Sequence, residues 1–125
     1  MADDRAILVV DDDEGIRLMV AIALEGDGLR VLTAADGREA LELVAREPPT
    51  LILLDLKMPG MDGWAFARAY RARPGPHAPI VVMTAAHPAG RVAEVRADAE
   101  LAKPFDLEQL QRVVERFAPA RPGAE

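Results

Sequence analysis

Leu51-Ile52-Leu53-Leu54-Asp55 is a run of four apolar residues that ends on a carboxylate. The pattern recurs twice. Ile7-Leu8-Val9-Val10 runs into Asp11-Asp12-Asp13, and Ile80-Val81-Val82-Met83 runs into Thr84. Short, continuously apolar, β-rich runs are how strands buried on both faces read, as in a parallel sheet covered by helices. Two weaker runs complete the set, so strands are predicted over Ala6–Val10, Leu29–Thr33, Thr50–Leu54 and Pro79–Met83, with a fifth near Glu100–Ala102.

Helical patterns fill the intervals. Ile16, Met19, Val20, Ala23 and Leu24 recur at the spacing of one buried stripe. Gly37–Arg46 carries Ala40, Leu41 and Val44 and stops at Pro48-Pro49. Trp64–Ala72 begins after Gly63 and breaks at Pro74-Gly75-Pro76. The last helix opens at Asp106, a capping residue with Gln109 as its capping-box partner, and Leu107, Leu110, Val114 and Phe117 form its expected buried stripe. One further, short helix is expected within Ala85–Ala99, where Pro88 and Gly90 limit its length.

Strand and helix thus alternate five times, which predicts an α/β fold with a five-stranded parallel sheet and helices on both faces. The doubly wound order 2-1-3-4-5 is taken as the expected arrangement, though alternation alone does not fix it. A single unit over residues 1–118 is expected, followed by a frayed tail over 119–125 that carries Pro122 and Gly123.

The composition narrows the function. The chain has 125 residues, half of them apolar, and a mean hydropathy near zero, as expected of a folded water-soluble protein. No apolar run approaches a membrane span, and the charged start Met1-Ala2-Asp3-Asp4-Arg5 is unlike a secretory signal. Absence of cysteine removes disulfides, thiol catalysis and thiolate metal sites, and suits a cytoplasmic location. A net charge of −6 argues against direct nucleic-acid binding by this chain.

In open α/β sheets, ligands bind beyond the carboxyl ends of the strands, where the strand order reverses. With order 2-1-3-4-5, the first and third strands meet there, and Asp11, Asp12 and Asp55 converge. Clustered carboxylates repel one another unless a cation sits among them. A hard divalent ion with oxygen ligands, Mg²⁺, is the economical partner. Thr84 and Lys103, which follow the fourth and fifth strands, add a hydroxyl and an ammonium. That set suits phosphoryl transfer, with an aspartate as the nucleophile. Thirteen of the 15 basic residues are Arg, and Lys is the better match to a single phosphoryl oxygen.

At these residues the chain resembles the response regulator receiver domain of two-component signalling, in particular the chemotaxis-regulator type. The matching pieces, in order, are Ile7-Leu8-Val9-Val10-Asp11-Asp12, Leu54-Asp55-Leu56-Lys57-Met58-Pro59-Gly60-Met61-Asp62-Gly63, Met83-Thr84-Ala85 and Lys103-Pro104-Phe105. The resemblance implies that Asp55 accepts a phosphoryl group from a sensor histidine kinase or phosphotransfer protein. It implies that Asp11, Asp12, Asp55 and the backbone carbonyl of Lys57 hold Mg²⁺. Thr84 and Lys103 would each meet a phosphoryl oxygen, a cis peptide before Pro104 would aim Lys103, and small Ala85 would leave the donor room. Output would be altered contact with a downstream protein. The chain would be a phospho-accepting signalling domain that turns over only its own acyl phosphate.

The pattern also departs from the family. An aromatic residue is usual three positions before the lysine, and here that position is Glu100; the stretch from Thr84 to Lys103 is about one helical turn short. Both changes fall on a surface through which many receivers signal. Two alternatives follow from the residues. One is a phosphorylation-independent adaptor that keeps the fold. The other, a phosphatase of the haloacid-dehalogenase type, would need a second aspartate two residues after the nucleophile, where Lys57 stands.

Overall fold

Each of the three continuously apolar runs is a strand with all five residues buried, as their two-sided hydrophobicity requires. In a computed structural model that describes residues 5–84 and 95–119, the strands are β1 (Ala6–Val10), β2 (Arg30–Ala34), β3 (Leu51–Asp55), β4 (Ile80–Thr84) and β5 (Ala99–Ala102). The helices are α1 (Glu14–Gly26), α2 (Gly37–Arg46), α3 (Gly63–Ala72) and α4 (Leu107–Phe117). All strand pairs are parallel, and the order is β2-β1-β3-β4-β5, with β2 and β5 outermost. The architecture matches the expectation. Strand boundaries moved by one residue at most places: β3 takes in Asp55 and β4 takes in Thr84 as their last residues, because the ladder continues one step beyond the apolar run.

Alternation along the strands divides the core into two layers. Leu8, Val10, Ile52, Leu54, Ile80 and Val82 face α2 and α3, packing with Ala40, Val44, Phe66 and Tyr70. Ile7, Val9, Leu51, Leu53, Val81 and Met83 face α1 and α4, packing with Val20, Leu24, Leu110 and Val114. Aspartates start all four helices. Asp13, Asp36, Asp62 and Asp106 each accept a backbone N–H from the first turn, and Asp106 with Gln109 completes the expected capping box.

Two stripe residues are corrected. Met19 on α1 and Leu107 on α4 are exposed, as are Leu18 and Ile22. Leu107 is the first residue of its helix and shares the face of Leu110 and Val114, which are buried one and two turns on, so the stripe holds but its first residue lies at the uncovered helix end. Met19 sits at the margin of the α1 stripe, whose buried centre is Val20 and Leu24. Ala118, the last residue of the expected unit, is buried. Its N–H donates to the Val114 carbonyl, and its own carbonyl accepts from Arg5 Nη1 at 2.6 Å. The helix expected within Ala85–Ala99 falls largely outside the described residues, as do Ala85, His87 and residues 120–125. Among the described residues, no helix is long and apolar enough to cross a membrane.

Candidate functional site

The sheet register brings the polar residues to one edge. Val10 pairs with Leu54, so Asp11 and Asp55 are the next residues on adjacent strands. Asp55 pairs with Met83, which sets Thr84 one step further, and Thr84 pairs with Ala102, which sets Lys103 one step beyond that. Four residues from four chain segments therefore converge at the carboxyl end of the sheet, at the switch point between β1 and β3.

Asp11 is fully buried and saturated with hydrogen bonds. Its Oδ1 accepts from the Asp13 N–H at 2.9 Å, and its Oδ2 accepts from Lys103 Nζ at 2.7 Å. Its N–H donates to the Ala34 carbonyl at 3.0 Å, and its carbonyl accepts from Arg17 Nη1 at 2.7 Å. Asp12 is exposed at the mouth of the site. One carboxylate oxygen from each of Asp11, Asp12 and Asp55 lies within 4.8 Å of the others, a donor set suited to a hard divalent cation.

Asp55 is 8% exposed, and its Oδ2 is 3.7 Å from Lys103 Nζ. Burial, reinforced by the charge of Asp11, raises its carboxyl from 3.8 to about 6, against the opposing pull of Lys103 and of the Lys57 N–H. Burial alone would lower the Lys103 ammonium. The hydrogen bond to Asp11 and the charges of Asp11, Asp55 and Asp13 outweigh it, so Lys103 is held above its ordinary value. The Lys103 N–H donates to the Thr84 carbonyl at 2.7 Å, and the Lys103–Pro104 peptide is cis as expected. Thr84 Oγ1 is buried and has no hydrogen-bond partner among the described residues. A buried hydroxyl without a partner among these residues is available to donate to an oxygen of water or of a bound group.

The loop after Asp55 is held at both ends. Lys57 N–H donates to Asp55 Oδ1 at 3.4 Å while the Lys57 side chain points to solvent. Gly63 N–H donates to the Leu56 carbonyl at 2.9 Å, and a Cβ at Gly63 would lie 2.5 Å from the Asp55 carbonyl oxygen. Only glycine permits that approach. From the other side, the Gly37 N–H at the start of α2 donates to the Met61 carbonyl at 3.0 Å. Trp64 is buried in the packing of α3, and His77 is a loop residue whose Nε2 bonds the Arg73 carbonyl. Glu100 is exposed on β5. Arg17 and Gly37 were not singled out by sequence reasoning. Each acts through a backbone carbonyl, and no residue pattern reports the position of a carbonyl.

This fold brings three aspartates, a threonine and a lysine to the carboxyl edge of a doubly wound sheet, a set of groups suited to phosphoryl chemistry. Comparison with known proteins agrees. Residues 7–115 match the model of the response regulator receiver domain, and the chain belongs to that family. It is similar to sporulation initiation phosphotransferase F of Bacillus subtilis, 33% identical over 118 residues that cover 92% of this chain and 94% of that one. Response regulator MprA of Mycolicibacterium vanbaalenii is 44% identical over 107 residues, 83% of this chain. The chain spans about half of MprA (46%) and about a quarter (24%) of the DNA-binding transcriptional regulator NtrC of Escherichia coli. Among solved structures, chemotaxis response regulator CheY4 of Vibrio cholerae superposes with a TM-score of 0.83 at 36% identity, covering 90% of this chain and 98% of that one.

Proposed function

We propose that the protein is a phosphorelay receiver whose phospho-acceptor is Asp55, in a Mg²⁺-dependent reaction with a sensor histidine kinase or phosphotransfer protein. The observation that carries the reading is the convergence of Asp11, Asp12 and Asp55 oxygens within 4.8 Å, beside the Lys103 ammonium. Asp11, Asp12, Asp55 and the backbone carbonyl of Lys57 are the residues that would hold Mg²⁺. Bound there, the ion would neutralise charge on the phosphoryl oxygens.

A carboxylate oxygen of Asp55 forms the new bond to phosphorus as the P–N bond of the donor phosphohistidine breaks, and the imidazole leaves with the electron pair and takes up a proton. Burial of Asp55 reduces the reorganisation needed around it. Lys103 pairs with one oxygen of the transferred group, and the Thr84 hydroxyl, without another partner, donates to a second. Water attack on the acyl phosphate later restores Asp55. The chain acts on its own phosphoryl group and on no separate substrate. The receiver unit is taken as 1–118 with a tail over 119–125, in the cytoplasm, and its output is changed contact with a downstream protein. Glu100 on β5 stands where the family usually has an aromatic residue, and its carboxylate is too costly to bury in a site shaped for a ring. The signal therefore runs through backbone movement after Thr84 or through Glu100 itself.

Intact mass after incubation with acetyl phosphate or phosphoramidate, with and without Mg²⁺, tests the reading. One Mg²⁺-dependent phosphoryl adduct, absent in Asp55→Asn, is expected. No adduct on the wild type would leave the phosphorylation-independent adaptor as the better reading.

A further inference from the structure

Arg17 stands in the first turn of α1, where the helix dipole disfavours a cation and stability alone would place an acidic residue. Its guanidinium turns back to the sheet and donates to the Asp11 carbonyl at 2.7 Å. That bond completes the engagement of Asp11, whose N–H and two carboxylate oxygens are already bonded to Ala34, Asp13 and Lys103. The Asp11 carbonyl shares its rigid peptide plane with the Asp12 N–H. Fixing the carbonyl therefore fixes the peptide that delivers Asp12, the exposed member of the carboxylate trio, to the site.

We infer that Arg17 is a positioning residue for the carboxylate cluster: by holding the Asp11–Asp12 peptide it sets the spacing of the oxygens that receive a divalent cation. The inference rests on the reading of the cluster as a Mg²⁺ site. It acts against simple electrostatics, since a nearby guanidinium repels Mg²⁺ and its removal by charge alone would tighten binding. The two effects have opposite signs, and this makes the inference testable.

The experiment is calorimetric titration of the full chain with Mg²⁺ alone, for wild type, Arg17→Ala and Arg17→Lys, together with urea unfolding of each. Val44→Ala, which truncates a buried core residue in the last turn of α2, at the opposite end of that helix from its contact with the acceptor loop, serves as the variant with a purely structural loss. Arg17→Ala should weaken Mg²⁺ binding about tenfold, the size expected when an outer partner of a metal ligand is lost. Arg17→Lys, whose ammonium can still donate to the Asp11 carbonyl, should recover most of that loss, and Val44→Ala should leave Mg²⁺ binding unchanged. Unchanged or tighter binding in Arg17→Ala overturns the inference, as does a lysine variant no better than alanine. A wild type that binds no Mg²⁺ overturns the cation reading itself, and the inference with it.

Discussion

Lys103 Nζ lies 2.7 Å from Asp11 Oδ2 and 3.7 Å from Asp55 Oδ2, so the resting lysine is held mainly by Asp11. Asp11 is fully buried, and this ammonium is the cation that compensates it. Replacing Lys103 with Met should therefore destabilise the metal-free protein by about 3 kcal/mol, the cost of an uncompensated buried charge. Saturating Mg²⁺ should restore most of that loss by supplying a substitute cation. Urea unfolding with and without Mg²⁺ measures both, and an equal deficit in the two conditions would refute the assignment.

The Asp55 carboxyl, raised to about 6 mainly by burial, sets a pH dependence. A carboxyl whose folded-state pKa exceeds its unfolded value binds protons more tightly when folded, so acidification through that pKa stabilises the fold. Metal-free stability should rise as pH falls from about 7 to about 5, before the remaining carboxylates reverse the trend near about 4. Asp55→Asn should abolish the rise and be more stable at neutral pH by about 2 kcal/mol. Thermal unfolding across this range, in chelator, would detect it; a wild type that loses stability steadily below pH 7 would contradict it.

Thr84 should separate stability from signalling. Its buried Oγ1 has no hydrogen-bond partner among the described residues, so the near-isosteric Thr84→Val should cost the resting fold less than about 1 kcal/mol and could even stabilise it. Uptake of phosphate at Asp55 should persist, while the change in Trp64 fluorescence on adding beryllofluoride should shrink. A large destabilisation by valine would mean that the hydroxyl has a structural partner in the resting protein.

Two glycines should respond with opposite signs. Gly63→Ala places a Cβ 2.5 Å from the Asp55 carbonyl oxygen and 2.7 Å from Leu56 Cα, so the backbone of the acceptor loop must shift. The expected cost is about 2 kcal/mol, with slower phosphorylation by acetyl phosphate. Gly26→Ala, at the end of α1, meets nothing within 4 Å and should gain about 0.5 kcal/mol. Paired denaturation curves decide between them.

Apolar runs ending on Asp11, Asp55 and Thr84 made the sheet and the site legible together, because parallel strands put their terminal residues where ligands bind. The start of α4 was legible for a similar reason: Asp106, with Gln109, is a local capping signal. The exposed Leu107 and Met19 were not legible, because periodicity marks a stripe but not how far a sheet covers it. Arg17 and Gly37 escaped notice because their partners are the carbonyls of Asp11 and Met61, contacts made by the folded backbone and not by any residue pattern.

Among the described residues, the outermost strands β2 and β5 each have one row of backbone donors and acceptors without a strand beside it, a template for strand addition. Both rows are short, and both carry an exposed charged residue: Arg30, ion-paired with Glu47, on β2 and Glu100 on β5. A second molecule adding to β5 in register would have to accommodate the Glu100 carboxylate beside its own backbone. An aromatic ring there would have offered a flat, sticky flank. The charge of Glu100 on this edge thus disfavours strand addition there, as charged residues on edge strands commonly do.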